Sequence, residues 1–329
     1  MNHLSKANKK IALLFPGQGS QKIGMGKDLL KYKSARIVFE RMDSILNMKL
    51  SEMMLNGEME RLSLSEYSQP AILGCSYAMF KVYQEKTGFE FVKEDKNRMI
   101  TIGHSLGEFS ALTATNMFEF EDAIELVHKR GKSMQECVDN SKKESCMVAI
   151  MGDLKVEELQ DLIYNSSVNK KVDDIADIAN INSPQQIVLS GFKDSVDRLI
   201  HHMKEKKFKF KSIPLNVKLP FHTILLNPVC DRLKAIMDEM DEKWRLMNPS
   251  VPILMNLDCK LYGDTHLIKE NLISQTTLPV NFAGCIGEAE ALEMTDYIEV
   301  GYGSTLSSLV SRNLKNKKEI NISNIMDLE

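Results

Sequence analysis

RMITIGHSLGEFSALTATNM, residues 98–117, is the stretch of sequence that decides the fold. Residues 98–102 form a short, mainly apolar run with β-branched side chains, which is typical of a buried strand. Residues 109–117 are mostly small, contain no proline and favour a helix. Between the two runs lies Gly103-His104-Ser105-Leu106-Gly107, where glycines on both sides of the serine allow a tight turn. The segment therefore predicts a strand, a sharp turn and a helix, with Ser105 at the turn.

This turn has the pattern of a nucleophile elbow, Gly-x-Ser-x-Gly. The pentapeptide also occurs by chance, but its setting between a strand and a helix favours a catalytic serine. A serine in that setting projects its hydroxyl at a helix N-terminus, where backbone N–H groups can stabilise a developing anion. Ser105 is therefore the candidate nucleophile.

Composition limits the classes of protein to which the chain can belong. It has 329 residues, of which 43% are hydrophobic, and a formal net charge of −3, so it can form a large core and has no basic excess for nucleic acid. Its apolar runs are too short to span a bilayer or to serve as a signal peptide. Six cysteines without a Cys-x-x-Cys pair indicate reduced thiols. We expect a soluble cytoplasmic enzyme, monomeric by default, with no nucleic-acid or membrane partner and no bound metal.

Strand and helix patterns alternate through the first part of the chain. A strand pattern at 11–15 is followed by helical patterns near 34–46, 65–87 and 120–138, with Ser63 as the expected cap of the second helix. The strand and helix of the serine turn lie between the last two. This alternation predicts an α/β fold with a parallel sheet.

The middle of the chain has a different order of elements. Six strand and helix patterns follow one another as β-α-β-β-α-β, at 146–151, 155–163, 178–181, 186–189, 195–206 and 208–216. That order is the signature of a ferredoxin-like unit, and Asn182-Ser183-Pro184-Gln185 is the expected hairpin turn at its centre. We predict a large α/β domain of residues 1–140 and 217–329, with residues 141–216 inserted as a small subdomain.

Gly17-Gln18-Gly19 follows the first strand and has some likeness to a phosphate-binding loop. A dinucleotide fingerprint needs a third glycine where Lys22 stands, and a Walker loop needs Gly-Lys-Ser/Thr, so neither pattern is present. Two interpretations remain. The loop is either a plain tight turn or one wall of an oxyanion hole, in which the N–H groups of Gln18 and Leu106 bind a tetrahedral oxyanion.

A catalytic serine needs a base, and the chain has seven histidines. His222 follows a proline-bearing loop just beyond the small unit, and the base comes late in the chain in hydrolase-like folds. His104 adjoins the serine but is expected to point away from it, whereas His201 and His202 lie in a lysine-rich, solvated helix. His222 is the favoured base, and a structural loop histidine is the alternative.

Arg130 lies on the second helix after the serine turn, 25 residues beyond Ser105. One interpretation is a structural ion pair. The other is a clamp on a substrate carboxylate, because a planar guanidinium can bind both carboxylate oxygens at once.

Seven motifs in colinear order, from about residue 11 to 310, resemble those of the malonyl-CoA:acyl carrier protein transacylases. The motifs are FPGQGSQ at 15–21, SQPAI at 68–72, GHSLGE at 103–108, RGKSMQE at 130–136, NINSPQQIVLSG at 180–191, PFH at 220–222 and NLD at 256–258. The resemblance implies an α/β-hydrolase-like large domain with a parallel sheet and an inserted ferredoxin-like small subdomain.

The resemblance also implies roles for individual residues. Ser105 is the expected nucleophile, His222 its base, and Arg130 the ligand of the malonyl carboxylate. The two oxyanion-hole amides are expected at Gln18 and Leu106.

Gln275 matches the position whose backbone carbonyl orients the histidine, so the resemblance implies a Ser-His dyad without a triad acid. The implied reaction moves a malonyl group from malonyl-CoA, a coenzyme A thioester substrate, through a seryl ester to the phosphopantetheine thiol of a holo acyl carrier protein. It serves fatty acid or polyketide synthesis and needs no bound cofactor.

An acyl hydrolase of the same fold is the alternative. Arg130 argues against it, since family members that hydrolyse acyl chains typically lack arginine there. Phe221 is similar to malonyl-selective members. Gly301-Tyr302-Gly303 departs from the usual Gly-Pro-Gly of the family, which affects a loop near the pocket.

A basic run lies on the predicted small subdomain, at Lys204, Lys206, Lys207, Lys209 and Lys211. Because the family's carrier proteins are acidic, the run is a candidate docking surface. A solvated helix end is the alternative.

Overall fold

The computed structural model describes residue 4 and residues 9–91, 98–139, 143–166, 171, 173–217, 219–244, 246–315 and 320–328. The strands of this part are β1 (Ile11–Phe15), β2 (Met99–Gly103), β3 (Ser145–Met151), β4 (Ala176–Ser183), β5 (Gln186–Phe192), β6 (Lys211–Pro214), β7 (Ile253–Leu254), β8 (Leu261–Tyr262), β9 (Asp296–Glu299) and β10 (Asn321–Asn324). The α-helices are α1 (Lys33–Leu46), α2 (Leu50–Asn56), α3 (Met59–Leu62), α4 (Ser65–Thr87), α5 (Gly107–Ala114), α6 (Phe120–Asp139), α7 (Val156–Asn165), α8 (Lys193–Glu205), α9 (Asn227–Trp244), α10 (Thr265–Ser274), α11 (Phe282–Ala291) and α12 (Thr305–Asn313).

Six strands form the large sheet, in the order β10-β9-β1-β2-β7-β8. All neighbours are parallel except β8, which is antiparallel to β7. The central strands β1 and β2 are buried along their whole length, as expected for parallel strands that are covered on both faces. Helices α1, α4, α5 and α6 supply the core on one face, and α11 and α12 cover the other. The predicted parallel α/β sheet is confirmed.

Four strands form the small sheet, in the antiparallel order β4-β5-β3-β6. This is the strand order of a ferredoxin-like unit, because β5 lies between β3 and β4, the two strands that helix α7 connects. Helices α7 and α8 pack their apolar side chains against one face of the sheet. The predicted β-α-β-β-α-β order is therefore confirmed.

Three predicted details are wrong. Helix α4 begins after Leu64, so Ser63 is not its cap, and no side chain caps this helix. The hairpin loop between β4 and β5 is shorter than predicted, because Asn182 and Ser183 continue strand β4. The last strand of the small sheet is also shorter than the predicted 208–216, since β6 ends at the proline that cannot donate to the ladder.

Backbone hydrogen bonds join strand β4 of the small sheet to the segment just before helix α11. The Ile181 N–H of β4 donates to the Val280 carbonyl at 2.9 Å, and the Val280 N–H donates to the Ala179 carbonyl at 2.9 Å. The predicted domain boundary between 140 and 141 lies outside the described residues. The division into residues 1–140 with 217–329 and residues 141–216 stays a prediction.

Glycines allow three backbone segments to meet at the serine turn. A Cβ on Gly107 would lie 1.9 Å from the Phe15 carbonyl oxygen of β1. A Cβ on Gly17 would lie 2.1 Å from the carbonyl oxygen of His104. Both distances are far below van der Waals contact, so only glycine fits, and the loop after β1 lies directly against the turn that carries Ser105.

Candidate active site

Ser105 occupies a strained turn between β2 and α5. Its φ of 52° lies in the left-handed region, which costs a non-glycine residue about 1–3 kcal/mol. Both of its peptide groups are held by side chains: its N–H donates to Asn256 Oδ1 at 2.8 Å, and its carbonyl accepts from Gln275 Nε2 at 3.2 Å. The predicted strand, turn and helix are thus present, and two hydrogen bonds stabilise the turn.

The structure brings Ser105 and His222 together. Ser105 Oγ lies 2.9 Å from His222 Nε2, and His222 Nδ1 lies 2.7 Å from the backbone carbonyl oxygen of Gln275. Because a carbonyl only accepts, Nδ1 carries the proton, and Nε2 is free to accept the serine hydroxyl. This is the geometry of a general base beside a nucleophile.

Burial keeps the His222 imidazole neutral. The side chain is 4% exposed, and this burial lowers its pKa to about 3. The Gln275 carbonyl acts in the opposite direction, while the nearby charge of Arg130 lowers the pKa further. The imidazole is therefore deprotonated, and able to accept a proton, throughout the neutral and mildly acidic range.

The N–H groups of Gln18 and Leu106 are available for an oxyanion. In the described part of the chain neither group donates to a protein acceptor. Leu106 directly follows the serine and stands at the start of α5. The Gln18 loop is held by the Gln18 side chain, whose amide donates to Ser65 Oγ at 3.0 Å.

Arg130 is a buried cation with neutral partners. Its side chain makes hydrogen bonds to Gln69 Oε1, at 2.9 Å from Nη1, and to Gln275 Oε1, at 3.4 Å from Nη2. Its Nε is buried and has no hydrogen-bond partner, and the guanidinium lies 5.2 Å from the centroid of the Phe109 ring. Burial lowers its pKa to about 10, so it stays charged at neutral pH. Among the described residues no carboxylate forms an ion pair with it, which favours the interpretation as an anion ligand.

Three site residues received no role from the sequence, although each lies within one of the motifs. Gln69 holds Arg130, and Asn256 holds the Ser105 N–H. Glu108 is completely buried and accepts the Asn256 N–H at 2.6 Å. Burial raises the pKa of Glu108 to about 8, against the hydrogen bonds of Asn256 and Gln275, which lower it. Their motif positions were the only available signal, since spacing alone does not reveal what a buried amide or carboxyl holds.

His104 points away from the nucleophile, as predicted. Its Nε2 lies 2.8 Å from Asn182 Oδ1 on strand β4, so this side chain connects the serine turn to the small sheet. Burial lowers the pKa of His104, which favours the neutral ring.

Three further features of the described residues bear on the class of protein. Within the ranges given above, no helix is both long and apolar enough to cross a membrane. The same residues contain no group of three or more histidine, cysteine, aspartate or glutamate side chains arranged to hold a metal ion. All six cysteines are free thiols.

Comparison with known proteins assigns the chain first to a class and then to a family. The model of the acyl transferase domain matches residues 12–327, so the fold and the serine turn are those of an acyltransferase. The chain is 37% identical over 324 residues to the malonyl CoA-acyl carrier protein transacylase of Bacillus subtilis, which covers 97% of this chain and 95% of that protein. The chain belongs to the malonyl-CoA:acyl carrier protein transacylase family.

Solved structures agree with this assignment. An acyl-carrier-protein S-malonyltransferase from Bartonella henselae superposes with a TM-score of 0.85 at 30% identity, over 96% of this chain and 95% of that one. A malonyl-transacylase in complex with its type II PKS acyl carrier protein matches with a TM-score of 0.84 at 29% identity, over 96% and 95% of the two chains. The family resemblance and the predicted fold class are confirmed.

The low pKa of His222 predicts how the reactivity of Ser105 depends on pH. An exposed histidine would become protonated as the pH falls through about 6.5 and would stop acting as a base. Because burial lowers the pKa of His222 to about 3, we expect the rate of Ser105 labelling by a small organophosphorus fluoride to stay level between about pH 5 and 8. Ser105→Ala and His222→Ala serve as controls that lose labelling. A loss with a midpoint near the ordinary histidine value would contradict the assignment.

Proposed function

We propose that Ser105, His222 and Arg130 carry out the malonyl transfer that defines this family. As a malonyl-CoA:acyl carrier protein transacylase, the protein moves a malonyl group from malonyl-CoA to an acyl carrier protein. One observation supports these three assignments: Gln275 contacts Ser105, His222 and Arg130. Its carbonyl accepts from His222, and its side-chain amide contacts both the Ser105 carbonyl and Arg130. A nucleophile, a base and a buried cation are thereby held in one site.

The first half-reaction forms a seryl ester. His222 Nε2 accepts the Ser105 hydroxyl proton while Oγ attacks the thioester carbonyl carbon of malonyl-CoA. The negative charge that develops on the carbonyl oxygen is stabilised by the N–H groups of Gln18 and Leu106. When the tetrahedral intermediate collapses, the C–S bond breaks, and the coenzyme A thiolate takes the proton from His222.

The second half-reaction repeats these steps with a different thiol. The phosphopantetheine thiol of the carrier protein gives its proton to His222 while its sulfur attacks the seryl ester. Collapse of the intermediate breaks the bond to Oγ, and Ser105 recovers the proton from His222. The malonyl group leaves on the carrier protein, and the enzyme returns to its starting state.

Arg130 selects the malonyl group through its free carboxylate. A guanidinium with a buried, unpartnered Nε–H has an unused donor, and a carboxylate can accept from it and from a second N–H in parallel. Neutral acyl groups offer no such acceptor. The charge of Arg130 therefore favours malonyl over acetyl in both half-reactions.

A holo acyl carrier protein is the acceptor, and the enzyme acts as a monomer in the cytoplasm. The homologue in complex with its acyl carrier protein supports the kind of partner. Whether the malonyl group enters fatty acid or polyketide synthesis depends on the carrier protein.

Intact-protein mass spectrometry tests the function directly. After brief incubation with malonyl-CoA, we expect wild-type protein to gain one malonyl group, and Ser105→Ala to gain none, because the ester forms on Oγ. Added holo carrier protein should remove the group and become malonylated. Release of free coenzyme A and malonate without a stable adduct would instead indicate the acyl hydrolase.

Removal of the Arg130 side chain should change acyl selectivity. Loss of the charged partner of a buried carboxylate costs about 2–5 kcal/mol, and a rate changes tenfold for about 1.4 kcal/mol. Arg130→Ala should therefore lower malonyl transfer roughly 30- to several thousand-fold and spare or improve acetyl transfer. Arg36→Ala, on the exposed side of α1, is the control. Equal loss of both activities would rule out the clamp.

The basic run at the end of α8 and on β6 remains a predicted docking surface. All five of its lysines are exposed, in agreement both with carrier docking and with a solvated helix end. If they steer an acidic carrier protein, Lys207→Glu combined with Lys209→Glu should raise the KM for carrier protein at low salt and leave the KM for malonyl-CoA unchanged. An unchanged KM for carrier protein would show that the run does not dock it.

A further inference from the structure

Glu108 is a completely buried carboxyl group that no step of the proposed mechanism uses. It lies in the first turn of α5, three residues after the nucleophile. One of its oxygens accepts the backbone N–H of Asn256 at 2.6 Å, and the other accepts from the side-chain amide of Gln275. Burial of a carboxyl group is costly unless the group is hydrogen-bonded, and here each oxygen of Glu108 has a hydrogen-bond donor.

The two residues that Glu108 fixes are those that hold the Ser105 peptide. Asn256 accepts the Ser105 N–H, and Gln275 donates to the Ser105 carbonyl. Gln275 also accepts from Arg130 through its side-chain oxygen. Glu108 is therefore linked to the strained serine through Asn256 and through Gln275, and it is linked to Arg130 through Gln275.

The direction of the Gln275 amide is the critical variable. Its NH₂ group faces two acceptors, Glu108 and the Ser105 carbonyl, which leaves its oxygen to face Arg130. The opposite orientation would direct the NH₂ group at the guanidinium, so that donors would face donors. The ionised form of Glu108, which accepts at both oxygens, is thus what makes the observed orientation favourable. Because burial raises the pKa of Glu108 to about 8, the variants below are compared above about pH 8, where the carboxyl group is ionised.

We propose that Glu108 is a positioning residue that sets the malonyl preference of the enzyme by fixing the orientation of the Gln275 amide. This inference rests on the proposed function of Arg130 and extends it to a residue that does not touch the substrate. Glu108 acts through Gln275 on the guanidinium, whereas the base is oriented by the Gln275 backbone. Selectivity and base orientation therefore depend on different atoms of one residue.

Glu108→Gln should disturb this arrangement without changing the size of the side chain. The Asn256 N–H is part of the backbone, so the oxygen of the new amide has to face it. The new NH₂ group then faces Gln275, whose amide must turn its oxygen towards position 108 and its NH₂ group towards Arg130. The guanidinium loses an acceptor and is displaced from its place in the site.

The experiment compares seryl ester formation from malonyl-CoA and acetyl-CoA in four proteins: wild type, Glu108→Gln, Gln275→Ala and the double variant. Gln275→Ala keeps the carbonyl that orients His222 and removes the side-chain amide, with its hydrogen bonds to Arg130 and to the Ser105 carbonyl. We expect each single variant to lower the ratio of kcat/KM for malonyl-CoA to kcat/KM for acetyl-CoA about tenfold or more. Because both act through one amide, the double variant should lose little more than the worse single variant.

Glu299→Gln is the matched control. Glu299 is also a completely buried glutamate, and it accepts from the N–H groups of Leu306 and Ser307 at the start of α12. Its substitution should lower Tm and leave the ratio of malonyl to acetyl activity at the wild-type value. The same behaviour in Glu108→Gln, lower Tm with an unchanged ratio, would show a merely structural role and overturn the inference.

Two other outcomes decide the question independently. Additive losses in the double variant would overturn the inference, since they would show that Glu108 does not act through Gln275. If Glu108→Gln does not fold, an unchanged ratio in Gln275→Ala overturns it, and a lowered ratio supports it. Failure of the proposed function looks different, because wild-type protein would then form no malonyl ester on Ser105.

Discussion

The contact between the backbone of α5 and the backbone of β1 is the constraint on which the site depends. It exists because Gly107 has no Cβ to separate its backbone from the Phe15 carbonyl. With the helix this close to the strand, the chain between β2 and α5 has to turn sharply, and Ser105 takes a left-handed conformation. The first N–H groups of the helix are left beside the hydroxyl, where a developing negative charge can use them.

The electrostatics of the site follow from the exclusion of water. A buried arginine without a carboxylate partner and a buried neutral histidine would each be unfavourable alone. Neutral amides from Gln69 and Gln275 compensate part of the cost for the arginine, and a carbonyl does so for the histidine. The site therefore keeps a buried positive charge and a neutral histidine, an arrangement that is complementary to an acyl group with a free carboxylate.

Much of the fold could be predicted from local patterns. The buried strands β1 and β2, the long helices α4 and α6 and the order of the small sheet have strong periodicity or strong turn signals. The later strands of the large sheet do not: β7 and β8 have two residues each, β9 contains as many polar as apolar residues, and β10 has three polar residues and one apolar residue. The positions of β7 and β9 are set by parallel pairing with β2 and β1, which are distant in sequence, and local sequence does not encode such pairing.

Some residues of the site could likewise be predicted from local sequence, and others could not. Ser105 and His222 stand in recognisable local contexts, and the structure brings them to hydrogen-bonding distance. The orienting role of Gln275 came only from family resemblance, because it belongs to a backbone carbonyl and any residue has one. Glu108 and Asn256 were not assigned, because their partners are peptide groups and amides that only the folded chain brings near.

That backbone carbonyl makes the orientation of His222 independent of which side chain stands at position 275. A side-chain acid in the orienting position can be lost by a single codon change, and it can gain a proton in acid. The Gln275 carbonyl can do neither, since every amino acid supplies the same oxygen. A substitution at position 275 can therefore change the side chain that faces Arg130 and the Ser105 carbonyl, while the acceptor that holds Nδ1 of His222 is retained.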